Sequence, residues 1–407
     1  IREAGGVAPL VELLKAGAQS PTAEYAAGAL RTMTVDNAAN RDAIREAGGV
    51  APLVELLKAG AQSPTAECAA GALRNMTMTV GNAANRDAIR EAGGVAPLVE
   101  LLKAGAQSKA AEHAAGALRT MTVDNAANRD AIREAGGVAP LVELLKAGAQ
   151  SKAAQCAAGA LRNMTMTVDN AANRDAIRVA GGVAPLVELL KAGAQSKAAD
   201  YAAGALQNMT YNNAANRDAI REAGGVAPLV ELLKAGAQTA TAQCAVGALR
   251  NMTIDNAANR DAIRAAGGVA PLVELLKAGA QSKAAEHAAA AQSKAAEHAA
   301  GAQSKAAEHA AAALQNMTCN NAANRDAICM AGGVAPLVEL LKAGAWSVVA
   351  KFSAAILADL ATNNERRSRI RRAGAVEPLL ALVRGGSRSK IADDAATTVA
   401  RLANQRS

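Results

Sequence analysis

Histidine and cysteine recur at corresponding positions of a repeated helical segment, and both side chains could bind a metal ion. The residues are His113, His287, His298, His309, Cys68, Cys156 and Cys244. Neighbouring packed helices lie about 8–10 Å apart, whereas zinc needs ligand atoms within about 2.0–2.3 Å of one centre. Side chains stacked one per helix are therefore too far apart to share an ion. The sequence predicts neither a metal site nor a cofactor.

Sequence motifs typical of enzymes are missing from the chain. It contains no Walker loop, no zincin motif, no nucleophile elbow and no CxxC pair. Its five cysteines are odd in number and three share one repeat position, which favours free thiols in a reducing compartment. There is no signal peptide, and no apolar run approaches the ~18 residues of a membrane span. We expect a non-enzymatic protein of the cytoplasm or nucleus.

A repeated phrase, Ala-Gly-Gly-Val-Ala-Pro-Leu-Val-Glu-Leu-Leu-Lys-Ala-Gly, organises the sequence. Its first glycine recurs at intervals of 43, 45, 43, 45, 43, 43 and 65 residues, and a ninth, divergent copy has Gly374-Ala375. In the eight regular copies this first glycine is Gly5, Gly48, Gly93, Gly136, Gly181, Gly224, Gly267 and Gly332. Periods of about 40–47 residues are typical of solenoids built from two or three helices per unit.

Each unit is predicted to contain three helices. In one unit, the first covers roughly 37–47 with Asn37 as its cap, and the Gly48-Gly49 pair then allows a sharp turn. The second helix has Pro52 in its first turn, where a missing N–H costs little. The third begins after Ser63, an N-cap residue type. Its Ala69, Ala72, Leu73 and Met76 follow helical spacing and should face the core.

This pattern resembles the armadillo repeat. The resemblance rests on a short helix, a glycine-marked turn, a helix with Ala-x-Pro-Leu-Val-x-Leu-Leu and a third helix ending Ala-Leu-Arg-Asn-Met. It extends over nearly the whole chain as about nine three-helix units, of which the first is truncated. The resemblance implies an all-α, right-handed superhelical solenoid. Residues 1–362 would form the repeat array and 363–407 an Arg-rich capping repeat.

Comparison of the repeats shows that the variation is concentrated on the third helix. One position, here named the Asn slot, holds Thr32, Asn75, Thr120, Asn163, Asn208, Asn251, Asn316 and Asp359. Seven residues earlier stand Tyr25, Cys68, His113, Cys156, Tyr201, Cys244, His309 and Phe352. Residues seven apart lie on the same helical face, two turns from each other. The variable surface is therefore one stripe per repeat. This stripe is either a binding surface or a tolerant surface that drifted after duplication.

The family resemblance implies that this stripe lines a concave groove in which asparagines hold an extended peptide. An amide side chain can donate to a backbone carbonyl and accept from a backbone N–H. The expected backbone clamps are Asn75, Asn163, Asn208, Asn251 and Asn316. The expected selectivity positions are Tyr25, Cys68, His113, Cys156, Tyr201, Cys244 and His309.

The position four residues before the Asn slot separates this chain from importin-like members. Those proteins carry Trp there, whereas this chain carries Gly or Ala, for example Gly71, Gly159 and Ala312. Without Trp, stacking on lysine side chains of a basic peptide is lost. The chain thus resembles catenin and plant armadillo scaffolds more than importin.

The 65-residue interval contains a 22-residue insertion, around 280–312, made of extra copies of an 11-residue Ala-rich unit. Eleven residues are nearly three helical turns, so each copy keeps the same face in phase. One hypothesis is a single long third helix over Lys283–Met317. The alternative is an additional helical hairpin.

Charge is concentrated near the C-terminus. The formal net charge is +8, but residues 363–407 hold ten basic and four acidic residues, so the remainder carries only +2. The Arg run at 366–372 is interpreted as the polar face of a cap, with a nuclear localisation signal or an anion contact as the alternative.

Three functions follow from these observations. The first is an adaptor that binds an extended or disordered peptide along the groove. The second is a nucleic-acid-binding solenoid, which is disfavoured because the repeats lack a dense basic stripe and aromatic side chains. The third is a structural array that self-associates through its truncated N-terminal end or the Ala-rich insertion.

Overall fold

The computed structural model describes residues 1–17, 19–78, 82–166, 170–235, 239–288, 294–342, 347–385 and 390–403, without the side chains of 281–304 and 385. These residues form 26 α-helices and no strand, in two compact units: residues 1–192 with 196–209, and residues 193–195 with 210–407. The all-α prediction is confirmed. None of the described helices combines the length and hydropathy needed to cross a membrane.

The helices follow one another in the predicted order within each repeat. The first helices are α3 (Ala38–Glu46), α6 (Ala83–Glu91), α9 (Ala126–Glu134), α12 (Ala171–Val179), α15 (Ala214–Glu222), α18 (Ala257–Ala265), α21 (Ala322–Met330) and α24 (Asn364–Arg372). The second helices are α1 (Val7–Leu14), α4 (Val50–Leu57), α7 (Val95–Leu102), α10 (Val138–Leu145), α13 (Val183–Leu190), α16 (Val226–Leu233), α19 (Val269–Ala288), α22 (Val334–Leu341) and α25 (Val376–Gly385). The third helices are α2 (Pro21–Met33), α5 (Pro64–Thr77), α8 (Lys109–Met121), α11 (Lys152–Met164), α14 (Lys197–Thr210), α17 (Ala240–Met252), α20 (Lys294–Thr318), α23 (Val348–Leu360) and α26 (Lys390–Ala403).

The predicted N-caps are present in most repeats. The Asn37 Oδ1 atom accepts from the Asn40 backbone N–H at 3.0 Å, which satisfies one of the N–H groups left open at the start of α3. At the third helices, Ser108 caps α8 by accepting from Ala111 N–H, whereas the Ser63 side chain makes no capping bond. Ser63 is followed by Pro64, whose fixed φ favours the first turn of a helix.

The Gly-Gly turn has two separate requirements. Gly48 has φ +73°, a region that other residues adopt only with strain. Gly49 has an ordinary φ, but a Cβ there would lie 2.9 Å from both the Ile44 carbonyl oxygen and the Val11 Cγ2 atom of the preceding repeat. The first glycine therefore serves the turn, and the second serves close packing between repeats.

The core is built from small and aliphatic side chains. On α5 the predicted core residues Ala69, Ala72, Leu73 and Met76 are all fully buried. The many alanines allow third helices of adjacent repeats to pack side by side, as α2, α5, α8 and α11 do in the first unit. In the second unit α17, α20, α23 and α26 pack in the same way.

The Ala-rich insertion lengthens both helices of an existing pair. Helix α19 extends to Ala288, and α20 begins at Lys294 and continues through Gly301. The two helices pack against each other. The hypothesis of one helix over Lys283–Met317 is therefore wrong at its start, since residues 283–288 belong to α19. In the described part of the insertion, the extra copies lengthen the second and third helices of their repeat.

The last repeat uses part of its Arg run for internal contacts. Arg366 is buried, donates from Nε to the Leu360 carbonyl at 3.0 Å and pairs with Asp326 of the preceding repeat. Arg369 reaches the Cys329 carbonyl at 3.4 Å. Arg366 and Arg369 thus join the last repeat to its neighbour, whereas Arg371 and Arg372 are exposed.

Candidate functional site

The candidate site is the surface formed by the third helices, named here the third-helix face. It carries the Asn slot and the variable position seven residues earlier. The slot asparagines are half-exposed, so they lie at the surface without pointing fully into solvent. The structure describes all twelve predicted site residues, and each lies on a third helix.

Each slot asparagine donates to the third helix of the preceding repeat. The Asn163 Nδ2 atom donates to the Arg119 carbonyl at 3.0 Å and to the Thr122 hydroxyl at 3.2 Å. Asn75 donates to the Arg31 carbonyl at 3.1 Å. Matching bonds to a threonine hydroxyl join Asn208 to Thr165, Asn251 to Thr210 and Asn316 to Thr253, at 3.2, 3.1 and 2.9 Å respectively.

The accepting threonine is a site residue that the sequence reasoning missed. Thr122 is buried, and its hydroxyl donates to the Arg119 carbonyl at 2.6 Å while it accepts from Asn163. Thr165 makes the same bond to the Arg162 carbonyl at 2.6 Å. Its recurrence two residues after the Asn slot was a usable signal. At Asn163, the threonine hydroxyl and the Arg119 backbone carbonyl together fix the orientation of the slot amide.

The amide oxygens of most slot asparagines are open acceptors. Among the described residues, no donor reaches Oδ1 of Asn75, Asn163, Asn208 or Asn316. An amide oxygen has two lone pairs, so each can accept a hydrogen bond from an added ligand. The result is a series of four oriented acceptors, at Asn75, Asn163, Asn208 and Asn316.

The seven predicted selectivity positions differ in accessibility. Tyr25 is 75% exposed, whereas His113 and Cys156 are only 7% and 5% exposed. Cys68, Tyr201, Cys244 and His309 are half-buried. The stripe is therefore uneven: Tyr25 offers most of its surface to a ligand, and His113 and Cys156 offer little.

Arginines fill the space above the glycines where importin-like proteins carry Trp. Four arginines that directly precede a slot residue lie against the Gly of the next repeat; a Cβ on Gly159, for example, would be 2.6 Å from Arg119 Cδ. Arg31, Arg74 and Arg162 lie in the same way over Gly71, Gly116 and Gly204. This arginine row was not identified from the sequence, although the motif Ala-Leu-Arg carried the signal.

Three of the four arginines of this row are paired with a carboxylate of the next repeat. Arg31 lies 3.5 Å from Glu67, Arg74 lies 3.7 Å from Glu112, and Arg162 lies 3.3 Å from Asp200. Burial acts to raise the pKa of Glu112, but Lys109 and Arg74 outweigh it, so the pKa is lowered and the group is ionised. These pairs neutralise much of the charge of the row.

Tyr201 lies between two arginines. Its ring centroid is 5.9 Å from the Arg119 guanidinium carbon and 5.8 Å from that of Arg162, distances typical of cation–π contacts. The Arg119 Nη1 atom also donates to the Tyr201 hydroxyl at 3.4 Å, a long hydrogen bond. Tyr201 thus provides an aromatic wall above Gly159.

The buried histidine and cysteines of the face are uncharged at neutral pH. Burial, together with Arg31 and Arg74, lowers the pKa of His113 to about 4. Burial with Arg250 does the same for His309, whose pKa also falls to about 4. Burial raises the pKa of the Cys68 and Cys156 thiols. These positions therefore contribute shape and hydrogen bonding rather than charge.

The possible metal ligands are spread over the described structure. Among the residues that it describes, no three His, Cys, Asp or Glu side chains come together in an arrangement that could hold an ion. All five cysteines are free thiols.

The repeats can be compared with known families. A family model described as the Armadillo/beta-catenin-like repeat matches residues 37–78, 82–123, 125–166, 170–211 and 213–254, just over half of the chain. The chain belongs to the armadillo repeat family. Each match begins at the first helix and ends after the third, so the three-helix unit predicted from the sequence is the armadillo unit.

Solved structures similar to this armadillo chain include engineered proteins. One, an engineered protein solved by the Northeast Structural Genomics Consortium, is 32% identical with a TM-score of 0.77, over 99% of this chain and 90% of that one. A second engineered protein is 35% identical with a TM-score of 0.53, over 61% and 96%. A third match, titled as computationally designed armadillo repeat proteins for modular peptide recognition, is 25% identical with a TM-score of 0.52, over 65% and 99%. The comparison with curated proteins gave no match.

Proposed function

We propose that this armadillo scaffold binds an extended peptide along its third-helix face, the surface that the family resemblance implies as the groove. The observation that carries the proposal is the series of oriented, open amide oxygens of Asn75, Asn163, Asn208 and Asn316. A peptide backbone presents N–H groups along its length, and each amide oxygen can accept one of them. The similar designed proteins made for modular peptide recognition support the same use of this fold.

The slot residues have defined roles in this proposal. Asn75, Asn163, Asn208, Asn251 and Asn316 act as backbone clamps. Because an Nδ2 donor of each is engaged with the preceding repeat, the amide is held in place before the peptide arrives, which lowers the entropic cost of binding.

Selectivity comes from the variable position. Tyr25, Cys68, Tyr201 and Cys244 contact peptide side chains directly, as does His309. His113 and Cys156 act mainly through their neighbours, because they are nearly buried. For example, the His113 Nδ1 atom lies 3.1 Å from an Arg74 guanidinium nitrogen and fixes where that arginine lies.

The proposal describes a binding protein and not an enzyme, located in the cytoplasm or nucleus. It is supported by an arrangement in which the polar groups of the face bond to one another, as Asn163, Thr122 and the Arg119 carbonyl do. The five free thiols support a reducing compartment.

The test uses a random peptide library and one binding-deficient variant. Peptides about 12 residues long, which extend over about 40 Å at 3.3–3.6 Å per residue, are selected on the wild-type chain. Their affinity is then measured by fluorescence anisotropy for wild type and for Asn163→Thr/Asn208→Thr/Asn251→Thr. Threonine is the natural slot residue at Thr120, where its hydroxyl bonds to that of Thr77, so the fold should be kept.

The expected result is at least a tenfold loss of affinity, since each lost hydrogen bond contributes about 0.5–1.5 kcal/mol. Arg133→Gln, on the first helix away from the third-helix face, serves as the control and should bind as wild type does. Unchanged affinity of the triple variant with a normal circular dichroism spectrum would reject the asparagine clamps.

A further inference from the structure

One arginine of the row differs from its neighbours in having no carboxylate partner. Gln155 stands where the other repeats of the first unit place Glu67, Glu112 and Asp200 against the preceding arginine. The Gln155 amide donates to the Ala149 carbonyl of its own repeat at 2.8 Å. Among the described residues, the only side chain bonded to Arg119 is Tyr201.

Arg119 is held in place although its charge is not neutralised. Its aliphatic stem lies against Gly159, and the Tyr201 ring lies 5.9 Å from its guanidinium carbon. A guanidinium has five N–H donors, and the Tyr201 hydroxyl uses one of them. The remaining donors are free to form the two parallel hydrogen bonds that a carboxylate accepts from arginine.

The three neighbouring side chains described next supply no unpaired negative charge that would compete with a ligand carboxylate for Arg119. Asp200 is paired with Arg162 at 3.3 Å, Cys156 keeps its proton because burial raises the pKa of its thiol, and Gln155 is neutral. The side chains around Arg119 in the first unit therefore carry one positive charge in excess. This excess lies two slots along the row from the neutralised pair of Arg31 and Glu67.

We propose that Arg119, supported by Tyr201, binds the carboxylate of an aspartate or glutamate side chain in the bound peptide. The inference rests on the proposed peptide-binding function and names the chemistry of its partner: an extended, acidic peptide. The open oxygen of Asn163, the slot residue on the same repeat as Gln155, accepts a peptide N–H nearby. A backbone clamp and a side-chain cation thus act on adjacent parts of one ligand.

A single unpaired cation favours a peptide over a nucleic acid. Phosphate backbones carry a charge at every nucleotide, and their binding requires several cations along the strand. In the first unit the neighbouring arginines of the row are paired with carboxylates, so their charge is already neutralised. One carboxylate at one register matches this distribution.

The test compares two synthetic fluorescein-labelled peptides that differ only in charge. One alternates serine with glutamate and the other serine with glutamine, each of about 12 residues, which spans about 40 Å. In an extended chain alternate side chains share one face, so all glutamates of this peptide lie on one face. A peptide bound through that face presents a glutamate to Arg119 at every two-residue shift of register. We expect the glutamate peptide to bind about fivefold more tightly than the glutamine peptide, as for one charge-assisted contact in a half-exposed site.

Three variants locate the effect. Gln155→Glu, which supplies the missing intramolecular partner, should weaken binding of the glutamate peptide about fivefold and leave the glutamine peptide unchanged. Arg119→Gln should do the same. Arg31→Gln is the matched control, because Arg31 is already paired with Glu67, and it should change affinity less than about twofold. Circular dichroism verifies that each variant is folded.

The outcomes separate this inference from the proposed function. Equal affinity for the two peptides, or no effect of Gln155→Glu, would overturn the acidic-peptide inference while library-selected peptides still bind and still depend on the asparagines. Binding of an oligouridylate with the same dependence on Arg119 would also overturn it, in favour of a polyanion site. Failure of all peptides, including the library, would reject both proposals.

Discussion

Arg119 and Arg129 belong to the same part of the chain and illustrate two different uses of arginine. Arg119 lies on the third-helix face, half-exposed over Gly159, with an aromatic ring as its only side-chain partner among the described residues. Arg129 lies on the first helix α9, is 5% exposed and donates to the buried Thr122 carbonyl at 3.0 Å. Arg129 completes the hydrogen bonding of the fold, whereas Arg119 has donors left for a ligand.

The difference extends to other residue types. Asn128 and Gly137 are buried against backbone and core, whereas Asn163 is itself half-exposed and Gly159 lies under the movable side chain of Arg119. Residue type alone is therefore a poor guide to binding. Burial and the identity of the hydrogen-bond partner determine which copy of an arginine or asparagine is available.

The largest expected effect is the loss of the buried arginine. Arg129→Ala leaves the Thr122 carbonyl without a partner and removes a packed aliphatic stem, so the local free energy of unfolding should fall by about 2–3 kcal/mol. Arg119→Ala should change it by less than about 0.5 kcal/mol. Amide hydrogen exchange of α8 and α9 measures both, and equal losses would contradict the distinction between the two arginines.

Acidification should destabilise the third-helix face through its buried histidines. The folded-state pKa of His113 and His309 is about 4, below the ordinary 6.5, so the unfolded chain binds more protons between these values. The stabilisation is complete above pH 6.5 and is lost as pH falls toward 4. We expect a loss on the order of 2 kcal/mol per histidine.

The control for this pH effect is His113→Cys/His309→Cys, since cysteine occupies the same position at Cys68 and Cys156. Urea unfolding midpoints, followed by circular dichroism from pH 7 to 4, give the dependence for both chains. A double variant that loses stability as steeply as wild type would attribute the effect to other groups.

A pair of glycine substitutions tests how freely Arg119 can move. Gly137→Ala places a Cβ 2.9 Å from the Ile132 carbonyl oxygen and should cost about 1–3 kcal/mol by overpacking. Gly159→Ala places a Cβ 2.6 Å from Arg119 Cδ, but the arginine can shift and the helix gains about 1 kcal/mol of propensity, so stability should be nearly unchanged. Thermal melts measure the stability of both variants. A large loss of stability in Gly159→Ala would show that the Arg119 side chain cannot shift.

The smallest expected effect concerns the slot asparagine. Asn163→Ala removes half-exposed bonds to the preceding repeat and should cost about 1 kcal/mol, and Asn163→Thr about half of that. Asn128→Ala, which removes a fully buried bond to the Met121 carbonyl at 2.9 Å, should cost about 2 kcal/mol. Denaturant midpoints rank the three, and an Asn163→Ala loss above that of Asn128→Ala would show that the slot is mainly structural.

Local sequence signals predicted the helices well because each helix end carries its own chemistry. Asn37 and Ser108 cap helices as expected, and Gly48 adopts the positive φ that its turn requires. The Ala-rich insertion was harder to predict. Eleven-residue units of strong helix formers fit equally well at the end of one helix or the start of the next. Composition alone therefore does not determine that residues up to Ala288 belong to α19 and residues from Lys294 to α20.

The sequence by itself determined the three-helix armadillo unit, its repetition and the variable stripe on the third helix, because periodicity, capping and glycine turns act within a few residues. Only the tertiary structure decided which polar groups of that stripe are already engaged. Asn163 bonds to the Arg119 carbonyl and the Thr122 hydroxyl, which lie about one repeat earlier in the sequence. Among the described residues, no carboxylate lies beside Arg119, and this too depends on a residue of the next repeat. Such contacts depend on how one repeat packs on the next, and no local pattern specifies them.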